Sequence, residues 1–158
     1  MKIQIGKLTR SRHRGAAAVE LAILLPVLIL FLTVPLFFGR YLWHYSAANK
    51  AAHDAARYLS NISEREMRST GLSAAAAQVA LGIAGEEIAD LHPGTGAPTI
   101  VIHCGTNNLC TGIGAGPMPQ TVIVKVEMDI VDNIFGAVNT GFYGWRISAQ
   151  AELPYVGR

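Results

Sequence analysis

Charge is scarce in this sequence: Asp, Glu, Lys and Arg make up only 15% of its 158 residues, against 51% hydrophobic residues. A disordered chain needs low hydrophobicity and high net charge, so intrinsic disorder is excluded and a segment that avoids water is implied. Acid is missing altogether from the first fifteen residues, which hold Lys2, Lys7, Arg10, Arg12 and Arg14; beyond them eight basic residues face eleven acidic ones. With the basic excess confined to one short tail and no basic stripe interleaved with aromatics, nucleic acid is excluded as a partner. Internal repeats and low-complexity linkers are also absent, and the length sets a prior of one domain. Catalytic signatures are missing too: there is no Gly-x-Ser-x-Gly, no phosphate loop and no His-Glu-x-x-His, and Gly94-Thr95-Gly96 lacks the strand-then-helix setting of a nucleotide fingerprint. His53 and Asp54 are neighbours on a helix and point in different directions, so they make no dyad. The sequence therefore predicts no enzyme, no cofactor and no small-molecule substrate.

What the sequence has instead is one long apolar run. From Ala16 to Phe38 only Glu20 and Thr33 interrupt it, and 23 residues at about 1.5 Å each span ~34 Å, enough for a bilayer core. A secretory signal peptide is the nearest competitor, but its apolar region is roughly 7–15 residues long and closely followed by a small-x-small cleavage site. Ser46-Ala47-Ala48 lies too far downstream. The positive-inside rule puts residues 1 to 14 in the cytoplasm and everything after Arg40 outside, with membrane lipid as a partner. Pro26 and Pro35 each remove a hydrogen bond within the run and are expected to kink it.

Glu20 does not belong in a simple anchor, because an ionised carboxylate inside an apolar helix costs a few kcal/mol or more unless it is paired or neutralised. One reading leaves it snorkelling near the cytoplasmic headgroups. The other follows from Gly15: a cut after it frees an α-amine at Ala16, a cation one helical turn from Glu20, available to the carboxylate of a neighbouring chain.

The residues Arg12-His13-Arg14-Gly15, then Ala16-Ala17-Ala18-Val19-Glu20 and a long apolar helix, resemble a prepilin processing site. The wider pattern is similar to the TadE-like pseudopilins of the tight-adherence, Flp-type pilus system. Gly39-Arg40 and the stretch Ala51-Ala52-His53-Asp54-Ala55-Ala56-Arg57 resemble that family's Ala-Ala-Arg-Glu-Gly-Ala-Arg after the membrane helix, with His53 in place of Arg and Ala55 in place of Gly. Leu21 stands where the family usually has an aromatic residue. The resemblance covers residues 10 to 58. It implies a minor pseudopilin, cut between Gly15 and Ala16 by a prepilin peptidase, that uses Glu20 for assembly with other pilin-like subunits and the assembly platform of a surface-attachment pilus. The alternative class is an uncleaved single-pass anchor carrying an extracytoplasmic binding or sensing domain.

Beyond the membrane run, Tyr41, Tyr45, Ala48, Ala52, Ala55 and Leu59 recur at steps of three and four and predict one apolar helix face, with Lys50, Asp54 and Arg57 on a solvated one. Ser63 to Glu66 fits a capping box, and Ser73 reads as the start of a helix over 74–91 with Val79, Ile83 and Ile88 inside. The breaker cluster His92-Pro93-Gly94-Thr95-Gly96 ends the helical part. Thr99 to Cys104, Thr121 to Val131 and Trp145 to Leu153 read as strands, the last two by alternation. The apolar connection from Asn133 to Gly144, with Ile134, Phe135, Val138, Phe142 and Tyr143, is expected to pack locally, meet a partner or touch the outer leaflet. The predicted fold is α+β and pilin-like: a leader over 1–15, a transmembrane helix and stalk over 16–60, and an exported domain over 61–158 with one or two helices and an antiparallel sheet of about three strands.

Two cysteines, Cys104 and Cys110, flank a Gly- and Asn-rich turn, and outside the cytoplasm a disulfide is expected. Zinc binding by His103, Cys104 and Cys110 is the competing idea, but a structural zinc site wants four ligands and only three are visible. Asn61-Ile62-Ser63 matches an N-glycosylation sequon, a triplet common by chance.

Overall fold

The computed structural model describes residues 14–91, 96–105, 107–108, 110, 112–130 and 145–157. The leader up to residue 13, the breaker residues 92–95 and the apolar connection over 131–144 lie outside the described residues. Seven elements follow in chain order: α1 (Arg14–Ser60), α2 (Glu64–Arg68), α3 (Thr70–Ile88), β1 (Thr99–Cys104), β2 (Asn107–Asn108), β3 (Thr121–Ile130) and β4 (Trp145–Pro154). They fall into two compact units, Met1–Phe38 and Gly39–Arg158, with α1 contributing to both.

In the first unit α1 is apolar all round and its large side chains are exposed, from Val19 through Phe38. It is the one helix among the described residues long and apolar enough to cross a membrane, and its most apolar stretch is not buried by protein at all. A helix of this kind is stable where lipid rather than water surrounds it, because every backbone group is bonded within the segment. The helix continues through both Pro26 and Pro35. Thr33 Oγ1 donates to the Ile29 carbonyl at 2.7 Å, so its hydroxyl also finds a partner inside the helix.

The second unit is a two-layer α+β structure. Its sheet has the order β2-β1-β3-β4 with antiparallel neighbours, three long strands and a two-residue edge at β2. Alternation holds along all of β3: Val122, Val124, Val126, Met128 and Ile130 are buried, while Lys125, Glu127 and Asp129 are half-buried on the other face. Ile147, Ala149 and Ala151 of β4 and Ile102 and Cys104 of β1 complete the inner face. On the outer face Asp129 pairs with its cross-strand neighbour Arg146 at 3.1 Å, and Lys125 pairs with Glu127 at 2.6 Å. Such exposed pairs, screened by water, contribute little to stability.

The inner face joins one core with α1 and α3. Ala48, Ala51, Ala52, Ala55, Ala56 and Leu59 are fully buried. Alanine keeps the helix surface flat, so neighbouring elements approach its backbone closely. The predicted stripe holds from Ala48 onward but not at Tyr45, which is 42% exposed, whereas His44 is 6% exposed. At that level the cover lies on the His44 side. Periodicity reports which arc is apolar, not how far the covering elements extend.

The capping box forms as expected: Ser63 Oγ accepts from Glu66 N–H at 3.3 Å and Glu66 Oε2 accepts from Ser63 N–H at 2.9 Å. The following helix departs from its expectation. It is capped by Ser69, whose hydroxyl accepts from Leu72 N–H, so Ser73 lies inside α3 and is buried. Starting there, the inner face is Ala76, Ala77, Ala80, Ala84 and Ile88; Ile83 is half-buried and Val79, expected inside, is 48% exposed.

Candidate functional site

The candidate site begins at the N-terminal end of α1. Gly15 sits in the first helical turn, exposed, with open space around the position a side chain would occupy. The first four N–H groups of any helix lack intrahelical partners, so this turn opens at lower cost than the turns in the helix interior. Ala16 follows within the same turn. Glu20 is exposed in the second turn, flanked by Val19 and Leu21, themselves 61% and 62% exposed. Gly15 and Glu20 are thus accessible on an otherwise apolar surface, and among the described residues Glu20 has no ion-pair partner.

The stalk half of α1, from Gly39 on, carries two features that sequence reasoning missed. His44 is buried; its Nδ1 meets the Arg40 carbonyl at 2.8 Å and must carry the proton, which leaves Nε2 without a hydrogen-bond partner among the described residues. Tyr41 stacks edge-on against Trp145 of β4, with ring centroids 5.8 Å apart and planes at 77°. A buried histidine one turn before an alanine stripe is detectable as a periodic position. A contact between residues over a hundred positions apart leaves no local signal.

The solvated face of the stalk is as expected. Lys50 bonds Glu87 of α3 and lies 4.0 Å from Asp54. The hydrogen bond to Glu87 holds the Lys50 ammonium pKa above its ordinary 10.5. Arg57 lines an open groove of about 530 Å³ with Asp54, Tyr58, Asn61, Ile62 and Glu66. The Ser63 hydroxyl and backbone N–H keep the Glu66 carboxyl below its ordinary 4.5. Tyr155 donates to the Ile62 carbonyl at 2.9 Å, and burial pushes its phenol above 10.0.

Cys104 and Cys110 are joined, with Cα atoms 5.1 Å apart and both residues buried. The bond closes the β1–β2 hairpin, whose register pairs Cys104 with Asn107. Among the described residues no group of three His, Cys, Asp or Glu side chains is arranged to hold a metal ion.

A match to a known family falls within α1. Residues 15–57 match the family model described as TadE-like protein. No curated protein and no solved structure matches the chain. The matched segment begins at Gly15 and ends at Arg57, so it takes in the apolar helix and the alanine-rich stalk and leaves out α2, α3 and the sheet.

Proposed function

We propose that the chain is a minor pseudopilin of a tight-adherence pilus machine, with a structural rather than a catalytic role. A prepilin peptidase cuts between Gly15 and Ala16; residues 16–60 then serve as inner-membrane helix and stalk, and residues 61–158 form the exported domain. The basic leader faces the cytoplasm and the C-terminal part faces the periplasm. The observation that carries the reading is the coincidence of two boundaries: the TadE-like match starts at residue 15, where the basic leader meets the apolar helix.

Glu20 then sets assembly. After cleavage the α-amine of Ala16 and the Glu20 carboxylate lie four residues apart, one turn along the same helix face. Pairing each with its counterpart on an adjacent helix requires an axial stagger of about one turn, so the pair selects register while adding little net stability, the best attested role of buried polar groups. Partners are lipid, the peptidase, other pilin-like subunits and the assembly platform. The second reading, an uncleaved anchor with an extracytoplasmic binding domain, draws on the start of α1 at Arg14, before the scissile bond.

Crosslinking and co-purification from membranes test the assembly role. Glu20→Gln is expected to be made, inserted and cleaved normally yet to lose its crosslinks to the other pilin-like subunits. Wild-type complexes with Glu20→Gln would mean that the carboxylate only sits among the headgroups and would favour the anchor reading.

A further inference from the structure

The exposed face of α1 stays apolar past the end of the membrane run. Leu42, Trp43 and Tyr45 are 60%, 70% and 42% exposed, and the exposed positions turn polar only from Ser46, with Lys50 and His53 next on that side. Trp145, 50% exposed, is brought to the same level of the helix by β4 through its edge-on contact with Tyr41. These are both of the tryptophans in the chain. A soluble surface has no use for two exposed indoles and a leucine in one band, whereas tryptophan and tyrosine concentrate where hydrocarbon meets headgroups because each has an apolar body and a polar tip.

The lengths agree with that partner. Residues 16 to 38 account for ~34 Å, the hydrocarbon core; Trp43 and Tyr45 lie five and seven residues further on, ~8 and ~10 Å past its outer end, where an interfacial layer ~5–8 Å deep meets water. Trp43 and Tyr45 therefore fall at the outer headgroup level. Trp145 reaches the same level through Tyr41, although it belongs to the sheet.

We propose that the exported unit rests on the outer leaflet of the membrane through an aromatic collar of Trp43, Tyr45 and Trp145, with lipid at headgroup level as the partner. The collar makes the start of β4, and not the helix alone, a membrane contact. It holds the start of β4 at the bilayer surface. This inference rests on α1 crossing the membrane, and the test separates the two.

Full-length protein is reconstituted into phosphatidylethanolamine/phosphatidylglycerol vesicles containing lipids brominated near the headgroup end of the acyl chain, and single-tryptophan variants are compared. Trp145→Phe leaves Trp43 as reporter and Trp43→Phe leaves Trp145; phenylalanine keeps an aromatic ring in each place. Both reporters are expected to lose emission to the brominated lipid and to be protected from aqueous iodide. Quenching of Trp43 but not of Trp145 overturns the collar and leaves the membrane helix intact. Loss of quenching at both positions overturns the membrane reading itself. Protection of Trp145 from iodide and from lipid alike means that protein covers it, and this also overturns the collar.

Discussion

Gly112→Ala is the sharpest test of how the second unit is held together. Gly112 has φ +90°, and a Cβ there would stand 2.7 Å from the Thr70 Cα and 2.8 Å from the Thr70 nitrogen, both backbone atoms that cannot swing away. The left-handed conformation alone costs an L side chain about 1–2 kcal/mol. To relieve the clash the loop must lift off the α2–α3 junction, where Ile113 N–H donates to the Met67 carbonyl and Gly114 N–H to the Arg68 carbonyl, each at 3.2 Å. At about 1 kcal/mol net for each bond, the total loss is about 3–4 kcal/mol. Gly114 is the control: its φ is +60°, but nothing lies within 4 Å of its added Cβ, so Gly114→Ala carries only the conformational cost. For a unit of about 120 residues, an unfolding entropy of about 2.1 cal/mol/K per residue converts 1 kcal/mol to about 4 °C, hence a fall of ~12–16 °C for Gly112→Ala against ~4–8 °C for Gly114→Ala. The assay is thermal unfolding of the full chain in detergent, followed by near-ultraviolet circular dichroism. Equal melting temperatures for the two variants would refute the docking of this loop on Thr70.

The Cys104–Cys110 bond closes a short loop, and its removal is expected to cost about 2 kcal/mol by the chain-entropy estimate. A Cys104→Ser/Cys110→Ser double variant should therefore melt lower, and alkylation of freshly extracted protein without reductant should label neither cysteine; labelling of both would contradict the bond and the periplasmic orientation together. Because hydrogen bonds from Ser63 lower the Glu66 pKa in the folded state, the stability they provide is complete above the ordinary 4.5 and is lost as pH falls through the lowered folded value. Melting of Ser63→Ala should differ from wild type at neutral pH and converge toward it in acid; a constant gap down to pH ~2 would show that Glu66 ionisation plays no part.

Local pattern carried most of the fold. The apolar run, the capping box at Ser63 and the alternation of β3 and β4 each depend on neighbours within a few residues, and each is where the sequence puts it. The start of α3 was harder because Ser69 and Ser73 are both competent caps, and the choice follows from how α2 ends, with Ser69 N–H bonded back to the Arg65 and Glu66 carbonyls. Val79 was misplaced for a related reason: α3 is apolar or small on several sides, so hydrophobicity does not choose its inner face. Of the candidate site, the Gly15 to Glu20 pattern is legible because it is contiguous. The burial of His44 and the approach of Trp145 to Tyr41 depend on the sheet's placement against the stalk, which no local window contains.

Maturation of this chain as a pilin would be read from the length of its N-terminus. Intact-mass measurement and N-terminal sequencing of protein extracted from membranes that contain an active prepilin peptidase are predicted to show a chain beginning at Ala16, and Gly15→Val is predicted to retain the leader. Wild-type protein that still carries residues 1–15 in the presence of the active peptidase would rule out pilin maturation and leave the uncleaved anchor in its place.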